Sequence, residues 1–453
     1  MNLNQNTIIM QRISIENFGP VKKFEADVTD IMLLIGPQAS GKSTISKSIF
    51  IFKSLKNEIL TYIYVYVNAL ENLSLSLDNT INYIKSKFFT YFGIEPDRKG
   101  FSLKYQYSNE KYITISGSSR YNQEIKISST LEKELNLLVI EISNYKIISK
   151  EQRKKSKSLE ELRELESEKR LQFNHFKSIV YNIFEETHSP VFIPAGRSLM
   201  STLAEQLQHI NNPDTFNYFT KFLDTLDYFT KSFVERINLL RYNFTVDLNS
   251  LIQIEDIASD TGIDLSKLLK KILKGEYRFN FDGEQERIYF NNEKYVKLQY
   301  ASSGQQESVW ILLLIFRYIL DKTSVFVIFE EPEAHLYPET QSDIVELIGL
   351  LANVYNNQII ITTHSPYILS AFNNLLYAYQ VGTNKVGDER EAVESIVNSK
   401  SWIDPDRISA YFISENGYES IIDEELKLIQ AEKIDSASSI INDKFNDLFN
   451  LDE

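Results

Sequence analysis

Apolar and polar positions along this chain switch repeatedly between a period near two and a period near 3.6, and the switches divide it into blocks. Residues 8–25 alternate around Asn17-Phe18-Gly19-Pro20, which predicts two strands joined by a turn. Ile31-Met32-Leu33-Leu34-Ile35 is apolar without interruption and reads as a buried strand. From Thr44 to about Phe92 the period is helical, broken by polar stretches such as Ser76-Leu77-Asp78-Asn79. Residues 101–129 return to alternation in three runs and predict an antiparallel sheet. Residues 131–186 are helical around a charged centre (Lys150, Arg153, Lys154, Lys155, Lys157), the pattern of a helical hairpin with a solvated tip at 150–158. A buried strand at Val191-Phe192-Ile193 then delivers Arg197 at its end. The aromatic-rich segment 199–240 reads as helical core or interface, followed by a helix at 263–273 and short strands at 277–281, 287–290 and 296–299. The last third carries an apolar helix (308–320), two buried strands (325–329 and 358–362) with a helix between them (339–352), and a terminal helix at 436–452.

With 453 residues, 43% of them apolar, the chain can bury several cores and is not a disordered protein. A net charge of −14 argues against a wholly basic nucleic-acid binder, though not against a local basic patch at the hairpin tip. The absence of cysteine excludes disulfides, thiolate–zinc sites and thiol nucleophiles. Residues 1–18 lack the charged start and apolar core of a secretory signal. The most apolar run, 309–320, is interrupted by Arg317 and too short for a membrane span, so the cytoplasm is the expected compartment.

Gly36-Pro37-Gln38-Ala39-Ser40-Gly41-Lys42-Ser43-Thr44 has the spacing of a phosphate-binding loop, with a buried strand before it and a helix after it. Gly36 and Gly41 let backbone N–H groups curl around an anion, and the helix start points its positive dipole end at it. Lys42 reaches terminal phosphates, and the Ser43 hydroxyl is a natural Mg²⁺ ligand. A second constellation lies far along the chain. Ser302-Ser303-Gly304-Gln305 opens the apolar helix, Glu330-Glu331 ends one buried strand and His364 follows another. Ligands of open α/β sheets bind at such C-terminal strand ends. Arg197 suits either a place beside phosphates or a pairing with a carboxylate, and the sequence leaves both open.

Phosphate loop, Ser-Ser-Gly-Gln, acidic strand end and histidine, in that order, resemble an ABC-type ATPase head of the SMC/RecF/OLD group. Within that group, Ile193-Pro194-Ala195-Gly196-Arg197-Ser198, Glu330-Glu331-Pro332-Glu333-Ala334-His335-Leu336 and Thr363-His364-Ser365-Pro366 look like the ATPase subunits of the bacterial anti-phage systems PARIS and, next, Septu. The resemblance implies an α/β, ABC-type P-loop ATPase head with an antiparallel β lobe and a large helical insertion containing a short coiled-coil hairpin. It implies ATP and Mg²⁺ as cofactors, with residues 36–44 holding the nucleotide and Ser43 and Glu330 near the metal. Glu330 stands where many such heads have aspartate. Glu331 is then the residue that activates water, with His364 and Lys42 at the γ-phosphate. Ser302, Ser303, Gly304 and Gln305 complete the site of a second subunit, and His335 is structural or at the dimer interface.

The expected division is 1–60 (first part of the head), 61–189 (β lobe and hairpin), 190–300 (segment leading to the signature), 301–380 (second part of the head) and 381–453 (a partner or oligomer region). Residues 381–453 are too few for the Toprim nuclease of OLD-type proteins. Asp404-Pro405-Asp406 has an acidic-pair spacing, but Pro405 breaks a strand, so no nuclease activity is expected. The implied partners are further copies of the chain, as head-to-head dimers or a higher homo-oligomer, together with a separate effector (a Toprim nuclease) and a phage-encoded trigger. The competing reading is a RecF/SMC-like ATPase that binds DNA. A transporter subunit fits less well, given Glu330, the large insertion and the Pro332–Pro338 segment.

Overall fold

A computed structural model describes residues 11–69, 74–92, 100–118, 123–155, 158–199, 223–254, 259–280, 285–291 and 293–430. The expected helices within 200–222 and at 436–452 lie outside the described residues. The chain runs through β1 (Arg12–Phe18), β2 (Val21–Asp27), β3 (Ile31–Ile35), α1 (Lys42–Asn68), α2 (Leu77–Phe92), β4 (Phe101–Gln106), β5 (Tyr112–Gly117), β6 (Gln123–Ile127), α3 (Ser129–Lys155) and α4 (Leu159–Ile183). It continues through β7 (Ser189–Ile193), α5 (Tyr228–Leu240), α6 (Leu248–Ile254), α7 (Ser259–Leu273), β8 (Glu276–Asn280), β9 (Gln285–Tyr289), β10 (Tyr295–Lys297) and α8 (Ser303–Leu320). The last described elements are β11 (Val325–Glu330), α9 (Pro338–Asn353), β12 (Gln358–Thr363), α10 (Pro366–Gly382), α11 (Asp388–Glu394), β13 (Ile408–Ser414) and β14 (Gly417–Ser420). Contacts divide the chain into two compact units, residues 1–28 with 44–190 and residues 29–43 with 191–453.

The first unit is the antiparallel lobe with its hairpin. β1 and β2 form the expected pair around Gly19-Pro20, and β1 also pairs with β4, giving the sheet order β2-β1-β4-β5-β6. Alternating burial along β4 and β5 leaves one face apolar. On that face Phe88 and Phe92 of α2 close over Phe18, at 5.9 and 4.7 Å between ring centroids. The hairpin is where the charge pattern put it. Ser158 starts α4 with a capping box, its hydroxyl accepting from the Glu161 N–H while the Glu161 carboxylate accepts from the Ser158 N–H. Further down, Tyr145 packs edge-on against Phe176 (5.7 Å) and His175 meets Glu141 (3.0 Å).

The second unit is an α/β body with the sheet order β14-β13-β3-β12-β11-β7. β3, β12 and β11 are parallel neighbours, and every residue of β3 and β11 is buried, as continuous apolar strands covered on both faces require. α8 is buried from Glu307 to Leu320 except at Arg317, and its side chains share one core with α5, α6, α7, α9 and α10. The segment 408–414 also belongs to this body, because β13 pairs in parallel with β3, Ile408 opposite Ile31 and Phe412 opposite Ile35. Pro405 opens a single 3-10 turn before β13. The Asp404 carboxylate caps that turn by accepting from the Asp406 N–H (3.0 Å) and the Tyr379 hydroxyl (3.0 Å).

Candidate active site

Register aligns the three strand ends. Ile35 lies opposite Thr363, and Thr362 opposite Glu330, so the phosphate loop, His364 and the Glu330–Glu331 pair leave the sheet at one level. The loop turns immediately after β3, with Gly36 at φ +150. A Cβ there would lie 2.0 Å from the Ile413 carbonyl oxygen of β13, so only glycine lets β13 pass beside the loop. Pro37, Gln38, Ala39 and Ser43 are exposed, whereas Ser40, Gly41 and Lys42 are buried. Ala39 holds a left-handed φ of 62, and the Ser40 N–H donates to the Pro37 carbonyl across the turn (3.4 Å). Thr44 follows in the first turn of α1.

Lys42 lies at the centre of a short polar chain. Its ammonium donates to the carbonyls of Gly36 (2.9 Å) and Pro37 (2.7 Å) and stands 3.5 Å from His364 Nδ1. The other ring nitrogen, Nε2, is 3.1 Å from Glu331 Oε1. Burial lowers the Lys42 pKa to about 8, with the charges of Glu331 and Glu333 opposing the shift. Phosphate binding needs the ammonium form. ATP affinity should therefore hold up to about pH 8 and then weaken by roughly tenfold per pH unit. Titrating ATP affinity between pH 6.5 and 9.5 checks this; a flat profile would mean that Lys42 does not carry the interaction.

The carboxylates behind this chain divide by environment. Glu331 is half-buried and sits at φ +46, a left-handed conformation costly for a residue with a long side chain. Glu330 is buried, and its Oε1 has no hydrogen-bond partner. An orphaned buried carboxylate oxygen is what a cation would satisfy. Glu333, which sequence reasoning overlooked, accepts from the Thr363 hydroxyl (2.5 Å) and the His364 N–H (3.1 Å), so it fixes the histidine's backbone. Burial raises its carboxyl above the ordinary range against those hydrogen bonds. The third acid of Glu330-Glu331-Pro332-Glu333 was the available signal. Among the described residues, no group of three or more His, Asp or Glu side chains could hold a metal alone. Ser43 and Glu330 nevertheless fit Mg²⁺, which takes one or two protein oxygens and completes its shell with phosphates and water.

Two candidate groups have other placements. Arg197 is a correction to its assignment as a nucleotide ligand. It is fully buried, and its guanidinium donates to the carbonyls of Glu307 (2.9 Å), Pro194 (2.8 Å), Glu330 (2.8 Å) and Glu331 (3.0 Å). The carboxylate alternative is the one observed, since the Glu307 side chain lies 3.4 Å from Arg197 Nε. Glu307 itself was missed; an acid just before the apolar run 309–316 was the clue. The signature segment forms the cap of α8. Ser302 is the N-cap, its hydroxyl accepting from the Gln305 N–H, while Gln305 Oε1 accepts from the Ser302 N–H (3.2 Å) and the Gln305 side-chain amide donates to the Leu273 carbonyl (2.8 Å). Ser302 and Ser303 are exposed, and Gly304 packs so closely that a Cβ would lie 2.8 Å from the His335 carbonyl oxygen. His335 is exposed at φ 61, in the turn before α9.

A family model described as the AAA ATPase domain matches residues 9–369. The chain belongs to the AAA ATPase domain family. In this AAA ATPase the match spans both the phosphate loop and His364. Among curated proteins no sequence match is found. Solved structures that resemble it include SMC heads. One, bound to the C-winged helix domain of ScpA, is 10% identical with a TM-score of 0.37, over 91% of this chain and 97% of that chain. The head from Thermotoga maritima is 12% identical (TM-score 0.33; 80% and 92% covered). The head from Pyrococcus furiosus, with an extended coiled coil and bound to the C-terminal domain of ScpA, is 11% identical (TM-score 0.38; 96% and 99% covered). Among the described residues no helix is long and apolar enough to cross a membrane.

Proposed function

We propose that this AAA ATPase hydrolyses ATP between two copies of itself and uses the cycle as the scaffold and sensor of an anti-phage system. The observation that carries the catalytic part is the chain Glu331–His364–Lys42 at the aligned ends of three parallel strands. Residues 36–44 hold the triphosphate, with Lys42 and His364 at its γ end. Mg²⁺, held by Ser43 and Glu330, supplies charge neutralisation on the phosphates when bound. Glu331 orients the attacking water and takes up its proton as the γ-phosphoryl group departs from ADP. The exposed Ser302 and Ser303, with Gly304, close the nucleotide site of a second copy, where a helix start favours phosphate.

The defence role rests on the Ile193–Ser198, Glu330–Leu336 and Thr363–Pro366 segments and their likeness to the ATPases of such systems. In this reading a cytoplasmic homo-oligomer holds a separate effector of the Toprim nuclease kind and releases it on a phage-encoded trigger, this chain having no nuclease of its own. Residues 381–453 contribute to those partner contacts. Native mass spectrometry of Glu331→Gln with Mg²⁺-ATP, expressed with its neighbouring genes, tests it. The expected result is a discrete oligomer carrying a second protein. A dimer carrying nucleic acid and no protein would replace this reading with the DNA-binding one.

A further inference from the structure

Arg197 links three parts of the second unit. Its Nε donates to the Glu307 carbonyl of α8, one terminal nitrogen to the carbonyls of both Pro194 and Glu330, and the other to that of Glu331. Glu307 completes the joint in reverse. Its two carboxylate oxygens accept the backbone N–H groups of Arg197 (2.9 Å) and Ser198 (3.0 Å). Both side chains are essentially inaccessible to water, so these hydrogen bonds are unscreened and costly to leave unmade. What they hold is the backbone at Glu331, which sits in a left-handed conformation with its N–H donating to the Thr362 carbonyl (2.9 Å). A strained backbone persists only where its surroundings over-determine it. Here the N–H is fixed by β12 and the carbonyl by Arg197.

We infer that Arg197, itself oriented by Glu307, is a positioning residue for hydrolysis: it holds the peptide after Glu331 so that the Glu331 carboxylate faces His364. The inference rests on the reading of Glu331 as the residue that activates water. It assigns the Pro194-Ala195-Gly196-Arg197 segment and the acid of α8 a share in turnover without contact to nucleotide. Lysine cannot substitute for this arginine, because a single ammonium cannot serve carbonyls arrayed along a planar fork.

Arg197→Lys keeps a cation beside Glu307 and removes the fork. The expected result is a kcat lowered about 10- to 100-fold, as a misplacement of ~1 Å produces, with ATP affinity within about twofold of the parent. In single-turnover assays on the Glu331→Gln background, Arg197→Lys should cost less than about twofold more, because both changes remove one action. A parental kcat in Arg197→Lys, an affinity loss matching the kcat loss, or a full additive loss on the Glu331→Gln background would each overturn the proposal. If Arg197→Lys does not fold, Glu307→Gln, which keeps shape but loses one acceptor, should give the same kcat-only defect, and a parental kcat there overturns it equally. The two readings fail separately. Rapid turnover by Glu331→Gln removes the base assignment and this inference with it, whereas an inactive Glu331→Gln beside a fully active Arg197→Lys removes only the positioning role.

Discussion

Replacing Glu331 by glutamine is expected to lower steady-state ATP hydrolysis by about 10²- to 10⁴-fold, the usual contribution of a positioned general base, and to leave ATP affinity within a few-fold of the parent. In the proposed function the phosphate loop, not Glu331, supplies the groups that hold the triphosphate. Lys42 keeps its carbonyl partners in the variant, and Glu331 contributes only to the charge around that ammonium. Glutamine keeps the length of the side chain and, in one amide orientation, an oxygen in the place of the Glu331 Oε1 that lies 3.1 Å from His364 Nε2, so the defect is expected in proton transfer and not in the histidine's place. With hydrolysis blocked, the ATP-bound assembly should accumulate as a long-lived dimer visible by size exclusion. A variant hydrolysing within tenfold of the parent would remove Glu331 from the role. Glu333 is a poor substitute, since its carboxylate is buried and its Oε1 is held by the Thr363 hydroxyl and the His364 N–H.

The layout of the candidate site was legible because it rests on local spacing. The loop 36–44, the acidic strand end and His364 each follow a run of apolar residues, and runs of that kind become the parallel strands β3, β11 and β12. Hairpin and lobe were legible for the same reason, each being a change of period with a polar tip. What the sequence could not display is pairing between distant segments. β1 joining β4, and β13 from beyond residue 400 running beside β3, are choices among several strands of similar pattern. The requirement for glycine at position 36 comes partly from Ile413, which nothing near the loop announces. Arg197 was ambiguous for a related reason. A lone arginine after a buried strand suits a phosphate or a carboxylate equally, and only the fold brings Glu307 to it.

The largest stability effect is expected in the other unit, at Glu186. Its carboxylate, just after α4, is buried among Lys53 and Lys56 of α1, Gln11 and His188, with His188 Nδ1 at 2.6 Å and Lys56 Nζ at 3.4 Å. Lys56 also donates to the carbonyls of Glu186 and His188. Burial alone would push this carboxyl up; Lys53, the hydrogen bond from His188 and Lys56 outweigh it and hold it well below the ordinary range. Glu186→Gln keeps the shape but takes this counter-charge away from two ammonium groups that are each only 1% exposed. Breaking a buried ion pair in this way costs about 3–5 kcal/mol, on the order of 10 °C in the melting temperature of the first unit. The sign of the pH dependence follows from the depressed pKa. The stabilisation is complete above the unfolded carboxylate value of about 4 and is lost as pH falls through the lower folded value, so parent and variant should converge in stability only in strong acid. Paired melting curves at pH 7 and pH 3 measure both effects. Equal melting temperatures at pH 7 would mean that the lysines are held in place by their other contacts and that Glu186 adds nothing to the attachment of α1.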